Sequence, residues 1–308
     1  MTGVLWIVVA ETLFAIMRLA TRANALALPW AALAATRFLG GAAIVFGVAQ
    51  LTRGSLRIRD RRATWLRALF GTGSSIGVFY ALGSHRISVG DATTLAATAP
   101  LFVAALSRPL LGEAVTRRVM LGILLGFAGV VTLVGPSFGT SGNVALIALA
   151  GAASYAMAMV YLRKVGPGES SEAVALHVSL VAGGFAAFVF SSQLAAGTVG
   201  VAANPVDLVH VRWWALGVAA LAGGLSQIAL TRAYSLDRAA RLGAVSYIGV
   251  VLTYALEAIV MDRAPTLTQL VGAGLVVAAG LLTVTSGPDA QLRGDRATTT
   301  RRSSSSLP

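Results

Sequence analysis

The sequence has no cysteine, a single lysine and few acidic residues, 12 among 308. Without cysteine the chain can form neither a disulfide bond nor a thiolate metal site. Charged residues make up 12% of the chain and hydrophobic residues 56%, whereas soluble globular domains carry about 25% charged residues. The surplus of apolar side chains must face something other than water. The composition therefore predicts an integral membrane protein, with the lipid bilayer as its partner.

The excess of basic over acidic residues in the chain does not indicate a nucleic-acid partner. The formal net charge is +12, and all but one of the 24 basic residues are arginines. These arginines fall in short clusters between apolar runs, and they do not interleave with aromatic residues, as they do in proteins that bind single-stranded nucleic acids. We interpret the clusters as loops beside a membrane and expect no nucleic-acid partner.

Motifs for cofactors, metals and catalysis are also missing. No histidine begins a His-Glu-x-x-His zinc motif, and Lys164 follows an arginine, which excludes a Gly-Lys-Ser/Thr phosphate-binding loop. Gly73-Ser74-Ser75-Ile76-Gly77 fits a serine-hydrolase pattern, but that pattern needs a strand-to-helix turn and this stretch lies inside an apolar run. We interpret it as a Gly-x-x-x-Gly packing face, repeated by Gly122 and Gly126. No cofactor, metal or catalytic residue is expected.

Ten apolar runs divide the chain, each about the length that crosses a bilayer as a helix. They lie near residues 3–20, 31–51, 64–82, 92–111, 119–135, 143–162, 173–193, 213–233, 242–261 and 268–286. None shows the sustained polar–apolar alternation that is typical of a half-buried strand. The predicted fold class is an all-α integral membrane protein with ten transmembrane helices.

The distribution of arginine predicts the orientation. If the N-terminus is cytoplasmic, 18 basic residues lie in cytoplasmic loops and the tail, against 5 in outer loops. Since positive charge is retained on the cytoplasmic side, we expect a multi-pass protein of the cytoplasmic (inner) membrane with both termini cytoplasmic. The first run lacks a preceding basic region and is interpreted as a retained helix, not a signal peptide. Residues 287–308, basic and rich in serine, are expected to form a disordered cytoplasmic tail.

An internal repeat relates the two halves of the chain. Three residues of the fifth run recur in the tenth at an offset of 150, with Gly122, Leu125 and Ala128 matching Gly272, Leu275 and Ala278. We therefore divide the chain into two five-helix repeats, residues 1–137 and 143–286. Because five is odd, the second repeat enters the membrane in the opposite direction. Inverted repeats are typical of transporters that open one site alternately to each side.

Several short motifs resemble those of a known family. They are Ala35-Thr36-Arg37-Phe38-Leu39, Gly90-Asp91-Ala92-Thr93-Thr94, Ala99-Pro100-Leu101-Phe102-Val103-Ala104, Leu110-Leu111-Gly112-Glu113, Thr231-Arg232-Ala233-Tyr234 and Ser246-Tyr247-Ile248. In this order and spacing, residues 1–286 resemble the EamA-type branch of the drug/metabolite transporter superfamily. The resemblance implies ten helices, cytoplasmic termini, and transport of metabolites by exchange or ion coupling. The second half departs from the pattern at Asp262-Arg263, where a Gly-Glu pair is common, and at Val250, the counterpart of Pro100.

Glu11 and Arg37 are the charged candidates for a substrate or ion pathway. Glu11 lies midway along the first run, where a carboxylate must face protein or water and have a partner. Arg37 lies in the outer third of the second run at a similar depth, so we expect the two side chains to pair. The pair either binds substrate or a proton, or it is a structural ion pair that sets helix register.

Uncharged polar residues within the apolar runs are the remaining pathway candidates, namely Tyr80, Tyr155, Gln227, Tyr247 and Tyr254. Each either lines a cavity or bonds to a neighbouring helix. Pro100 removes one helix hydrogen bond, which either frees a carbonyl towards a cavity or simply kinks the helix.

Together these features predict a secondary transporter of a small metabolite or drug-like molecule, coupled to protons or working by exchange. The alternative is a membrane-embedded enzyme or assembly factor without transport activity. The inverted repeat favours transport, because a structural membrane protein does not need that symmetry. Import and export, and any oligomeric state, are equally compatible with the sequence.

Overall fold

The structure is a computed structural model that describes residues 2–25, 27–83, 89–135, 142–197, 210–260, 262 and 264–285. Side chains are described for all of these except residues 78–83, 89, 90 and 142. The side chain of the candidate Tyr80 and the predicted tail, 287–308, therefore lie outside the described residues.

Within these residues the chain forms twelve α-helices and one 3-10 turn. In chain order they are α1 (Thr2–Arg22), α2 (Trp30–Leu51), α3 (Arg61–Gly83), α4 (Val89–Ala96), α5 (Ala99–Leu111), α6 (Arg117–Val134), α7 (Gly142–Val165), the 3-10 turn (Gly166–Gly168), α8 (Ser171–Ala195), α9 (Trp213–Leu236), α10 (Ala239–Ser246), α11 (Ile248–Val260) and α12 (Leu267–Val284). No described residue lies in a β-strand. All ten predicted runs fall on these helices, α4–α5 being the fourth and α10–α11 the ninth, so the predicted all-α fold is confirmed.

The helices have the length and surface of a membrane protein. In the described part of the chain, nine of the ten runs are long and apolar enough to cross a bilayer. The remaining run, α3, has 23 residues but is more polar, since it carries Arg67, Thr72 and a pair of serines. Large apolar side chains are exposed on the outside of the bundle, including Leu5 (65% exposed) and Phe188 (70%). Such a surface suits lipid rather than water.

Two runs are interrupted near their middle, and the interruptions touch. Pro100, near the start of α5, has no N–H with which to continue a helix from α4. The N–H of Leu101 bonds to Thr98, which leaves the carbonyl of Ala97 to another donor. That donor is the hydroxyl of Tyr247, at the junction of α10 and α11, at 2.9 Å. The carbonyl beside Pro100 is therefore bonded to the second half of the chain rather than open to a cavity.

The halves pack through helix pairs that correspond when the two halves are exchanged. α1 packs on α9 as α7 packs on α3, and α5 packs on α7 as α11 packs on α1. The pairs α6–α12 and α2–α8 each map onto themselves. The largest apolar core lies around α1, α7 and α9, where Ile7, Met159 and Leu230 are fully buried.

Glycine allows α6 and α12 to approach closely. A Cβ on Gly272 would lie 2.5 Å from the backbone nitrogen of Leu133 and 2.7 Å from the carbonyl oxygen of Gly129. Towards the other end of the interface, Gly122 contacts Thr283. Residue numbers rise along one helix as they fall along the other, so the helices are antiparallel. The contacts Gly122–Thr283 and Gly272–Leu133 are also related by the offset of 150 residues.

The Gly-x-x-x-Gly interpretation of α3 is confirmed. A Cβ on Gly77 would lie 2.9 Å from Cα of Gly151, and one on Gly73 would lie 3.1 Å from the hydroxyl of Ser154, both on α7. Ser75, the central serine of the hydrolase-like pattern, donates to a carbonyl of its own helix at 3.1 Å. The stretch is therefore a helix-packing face, without the strand-to-helix turn that a hydrolase nucleophile needs.

The ends of corresponding helices are built alike. Thr116 precedes α6 and accepts a hydrogen bond from the backbone N–H three residues on at 3.3 Å, and Thr266 does the same before α12. Gly112 ends α5 with a φ of +69°, and Asp262, its counterpart after α11, has a φ of +49°. The departure from the Gly-Glu pattern therefore keeps the backbone geometry but places a residue with a Cβ in the left-handed region.

Substitutions of Gly112 and Asp262 should change the stability of the protein in opposite directions. Gly112→Ala should lower the free energy of unfolding by about 1 kcal/mol, because a Cβ is strained at positive φ and nothing lies within 4 Å to compensate. Asp262→Gly should raise it by about 0.5 kcal/mol by relieving the corresponding strain. Thermal unfolding of the purified protein measures both. Shifts of the melting temperature in the same direction for both variants would contradict this account of the two helix ends.

Candidate functional site

Among the buried polar side chains, one on each of α1, α3 and α9 forms the candidate site. Glu11 is 5% exposed, Arg67 4% and Gln227 7%, and the neighbouring core is apolar. Burying a charge in such surroundings costs several kcal/mol unless a partner or water compensates. The partners of these residues therefore decide what the site can do.

Glu11 pairs within its own helix, so the predicted pair with Arg37 is corrected. The carboxylate of Glu11 lies 3.7 Å from Nη2 of Arg18, two turns further along α1 and on the same face. Long side chains on a helix lean towards its N-terminus, which brings the guanidinium of Arg18 back to Glu11. The carboxylate also contacts Gly249 in the first turn of α11 and fills the space that a Cβ would occupy there.

Arg37 has no carboxylate within salt-bridge distance among the described residues. Its guanidinium carbon lies 4.3 Å from the centre of the Phe38 ring, and its buried Nε has no hydrogen-bond partner there. Gly223 on α9 leaves room for the side chain, since a Cβ on Gly223 would lie 3.4 Å from Cγ of Arg37. Arg37 is thus a positive charge between α2 and α9 that forms no salt bridge with a carboxylate of the described residues.

Arg67, one of the 18 basic residues that the sequence places in cytoplasmic loops and the tail, belongs instead to the central site. Its Nη2 donates to Oε1 of Gln227 at 3.4 Å, and its buried Nε lacks a hydrogen-bond partner in the described part of the chain. Nη1 lies where a Cβ of Gly71 would be. The side chain therefore runs towards the C-terminal end of α3. One signal was available in the sequence, because Arg67 falls inside the predicted third run, 64–82.

Two tyrosines lie near Glu11 and Arg67. Tyr155, a predicted candidate on α7, is within electrostatic range of both charged groups, and so is the fully buried Tyr234 at the end of α9. The predicted candidates Glu11, Tyr155 and Gln227 are therefore brought together, with Arg67 and Tyr234 added by the fold.

The other candidates lie away from this cluster. Tyr247 and Pro100 lie at the helix interruptions, where Tyr247 is 3% exposed, packs over Gly126 and uses its hydroxyl on Ala97. Tyr254 is partly buried on α11, near Glu257 of the same helix. Pro100 and Tyr247 join the two halves rather than contribute polar groups to the central site.

Ionic contacts tie the bundle together at the end where α1 begins, which we call the N-terminal face. Glu113, just after α5, accepts hydrogen bonds from Nε of Arg163 at 2.7 Å and from the N–H of Ala239 at 3.0 Å. Arg163 also donates to the carbonyl of Tyr234 at 3.1 Å. One carboxylate of the first half thereby holds the ends of α7, α9 and α10 together.

A second set of contacts ties the opposite face, where α1 ends. Arg22 forms a salt bridge with Glu257 of α11, and Nη1 of Arg18 donates to the hydroxyl of Thr253 at 3.2 Å. Asn24 exchanges two hydrogen bonds with the backbone of Arg212 before α9, at 3.1 and 2.7 Å. These contacts join α1 and the segment after it to α9 and α11 of the second half.

These features define a polytopic membrane protein with a polar interior site. Its helices have membrane length and apolar outer surfaces, and charged residues lie within the bundle, where they are expected to be functional. Charged side chains also join the two halves at both ends of the bundle.

Residues 1–135 match the EamA-like transporter family, which confirms the predicted resemblance for the first half of the chain. An uncharacterized transporter of Archaeoglobus fulgidus is 34% identical over 120 residues, which are 36% of this chain and 44% of that relative. The chain thus matches less than half of the relative's length. A protein of known crystal structure superposes with a TM-score of 0.77 over 91% of this chain and 95% of its own, at 22% identity, and shares the fold.

Proposed function

We propose that this protein is a secondary transporter that moves a small metabolite or drug-like molecule across the cytoplasmic membrane by alternating access. The observation that carries the proposal is the buried charged cluster of Glu11 and Arg67, with ionic contacts at both ends of the bundle. Alternating access requires one interior site with a closure on each side. The family match of residues 1–135 and the relative described as a transporter support the same function, rather than an enzyme.

The two halves, residues 1–137 and 143–286, are proposed to be inverted five-helix repeats, the second also EamA-like. Three observations support this proposal. The helix pairs correspond when the halves are exchanged, the antiparallel α6–α12 contacts are related by 150 residues, and the ends of α6 and α12 are capped alike. In such an architecture, each half can adopt the conformation of the other, so that one closure opens as the other forms.

Coupling is proposed to run through Glu11. If Glu11 takes up a proton during the cycle, transport is driven by protons. If it stays ionised beside Arg18, transport proceeds by exchange of substrates. Its contact with Gly249 places the carboxylate against α11 of the second half, where a change of charge can alter the packing of the two halves.

The N-terminal face is proposed to be cytoplasmic, because most arginines lie on that side. In this cysteine-free chain, a single introduced cysteine reports its own side of the membrane. Ser55→Cys, in the exposed segment between α2 and α3, should react with an impermeant maleimide only after the cells are permeabilised. Ser137→Cys, in a predicted outer loop, should react in intact cells. Labelling of Ser55→Cys in intact cells would reverse the orientation.

Alternating access predicts that locking one face stops transport. In the double variant Arg22→Cys/Glu257→Cys, a short bis-methanethiosulfonate reagent should link α1 to α11 and abolish substrate exchange in proteoliposomes. A reductant that cleaves the link should restore the exchange measured before cross-linking. The substrate for this assay comes from a screen of metabolite uptake and release by the reconstituted protein.

The matched control is Leu267→Cys/Val271→Cys, one turn apart on the exposed face of α12. Linking these residues joins no two helices and should leave exchange unchanged. Unimpaired exchange after complete Arg22→Cys/Glu257→Cys cross-linking would show that the opposite face does not open, which argues against alternating access. If the screen finds no transported molecule with the folded protein, the transport function itself is wrong.

A further inference from the structure

The fixed charges around the central site do not balance. Glu11 and the half-exposed Arg18 form one salt bridge and balance each other, whereas Arg37 and Arg67 contribute two further positive charges. The described residues contain no other carboxylate in a salt bridge with any of these arginines. Positive charge in a protein interior is costly unless an opposite charge accompanies it.

Arg67 is the most deeply buried of these arginines. It is 4% exposed, and its only hydrogen bond in the described part of the chain is the 3.4 Å contact with the neutral Gln227. A guanidinium has five N–H donors, and here the buried Nε makes no hydrogen bond. Breaking a buried ion pair by removing one partner leaves a similarly uncompensated charge and is strongly destabilising.

The Arg67 side chain does not extend towards the nearer end of its helix. Arginines near a membrane surface normally extend their guanidinium towards the interface. Arg67 instead lies over Gly71, one turn deeper along α3, where the missing Cβ makes room for Nη1. The guanidinium is therefore held within the bundle, with Gln227, Tyr155 and Tyr234 around it.

We infer that the substrate is a small anion, whose carboxylate or phosphate group binds the guanidinium of Arg67 beside Gln227. This inference rests on the proposed transport function and names the substrate class of the same site. The planar guanidinium suits both groups because it can donate two parallel hydrogen bonds. The amide nitrogen of Gln227 is a further donor, while Arg37 adds a positive field that attracts an anion and repels a cation.

The test measures thermal unfolding of the full-length protein in detergent, followed by tryptophan fluorescence. Sodium acetate, sodium succinate and sodium phosphate are titrated at an ionic strength held constant with sodium chloride, and succinamide serves as the uncharged probe. At least one anion should raise the melting temperature saturably, and succinamide should not. Arg67→Gln should weaken the apparent affinity by about tenfold or more, the effect of losing a charge-assisted contact.

Arg62→Gln is the matched control, because it removes the same charge from an exposed position on the same helix. It should retain the response of the unmodified protein to the anions. Arg67→Gln should be at least as stable as the unmodified protein without anions, since it removes an unbalanced charge. A marked fall in its melting temperature would show that the charge of Arg67 is already compensated and would overturn the inference.

Gln227→Glu provides an independent test, since it places a carboxylate next to Arg67 with little change in shape. This internal counter-charge should raise the melting temperature without added anions and abolish their stabilising effect. The inference is wrong if all three anions act no differently from sodium chloride, or if Gln227→Glu or Arg67→Gln responds to them as the unmodified protein does.

Uptake of labelled succinate and phosphate into proteoliposomes distinguishes the two proposals. Anion binding that depends on Arg67, with no transport of any molecule, would support the anion site and refute the transport function. Transport of uncharged or cationic molecules, without anion binding through Arg67, would support the transport function and refute the anion site.

Discussion

Gly272→Val should remove most of the folded protein from the membrane. A Cβ at this position would lie 2.5 Å from the backbone nitrogen of Leu133 and 2.7 Å from the carbonyl oxygen of Gly129. Both atoms belong to the backbone of α6, so no side-chain rotation relieves the overlap and the two helices must separate. Overpacking of this kind typically costs about 1–3 kcal/mol and occasionally more, and a rigid backbone on both sides places Gly272 at the upper end. Size-exclusion chromatography of detergent extracts measures the folded fraction.

Gly274→Val is the control for this prediction, because it lies on the same helix but nothing lies within 4 Å of its Cβ position. It has the same change in volume and helix propensity, and it should give a normal yield of folded protein. Equal yields for the two variants would show that the α6–α12 interface is looser than the structure has it. A loss in both would assign the effect to valine in α12 rather than to the contact.

Glu11→Gln should uncouple transport from the pH gradient while leaving a folded protein that still exchanges substrate. Glutamine keeps the shape of the side chain, and Arg18, about half-exposed, retains its hydrogen bond to Thr253. A proton-coupled carrier accumulates substrate about tenfold per pH unit for each proton moved, since one unit is worth about 1.36 kcal/mol. This accumulation should disappear in Glu11→Gln, as measured by uptake into proteoliposomes with and without a pH gradient.

Glu257→Gln is the matched control, because Glu257 is also paired with an arginine but lies near the end of α11. It removes the salt bridge that closes this face and so can change the rate of exchange, but the accumulation of substrate per pH unit should be unchanged. Two results would refute the role of Glu11 in coupling. One is a Glu11→Gln protein that still follows the gradient. The other is loss of the fold that Arg18→Gln restores, which would identify Glu11–Arg18 as a structural ion pair.

Helix positions and helix ends could be predicted from the sequence because they depend on local properties. The length of an apolar run, a glycine or proline and a capping threonine act within one or two turns. The interruption at Pro100 was anticipated for this reason, since the missing N–H belongs to that residue alone. The matching interruption at Tyr247 was not anticipated, because no proline marks it and its hydroxyl bonds to Ala97 of the other half.

The central site could be predicted only in part. Glu11, Tyr155 and Gln227 stand out as polar residues in apolar runs, and the structure places them near one another. Arg67 was missed because basic residues near the start of a membrane helix usually belong to the cytoplasmic loop. Two local features distinguish it from an arginine that reaches the surface: its position inside the predicted run 64–82, and the neighbouring Gly71, which leaves space for the guanidinium.

The sequence by itself determined that this is an all-helical membrane protein with an EamA-like first half. Composition, run length and motif order are properties of the chain that do not depend on how its helices pack. The tertiary structure alone decided which charges meet, pairing Glu11 with Arg18 instead of Arg37 and leaving Arg67 beside Gln227. The physical reason is that an ion pair forms over a few ångströms and depends on the rotation and depth of each helix. Those are set by close contacts such as Gly272 against Leu133, which involve residues far apart in the chain.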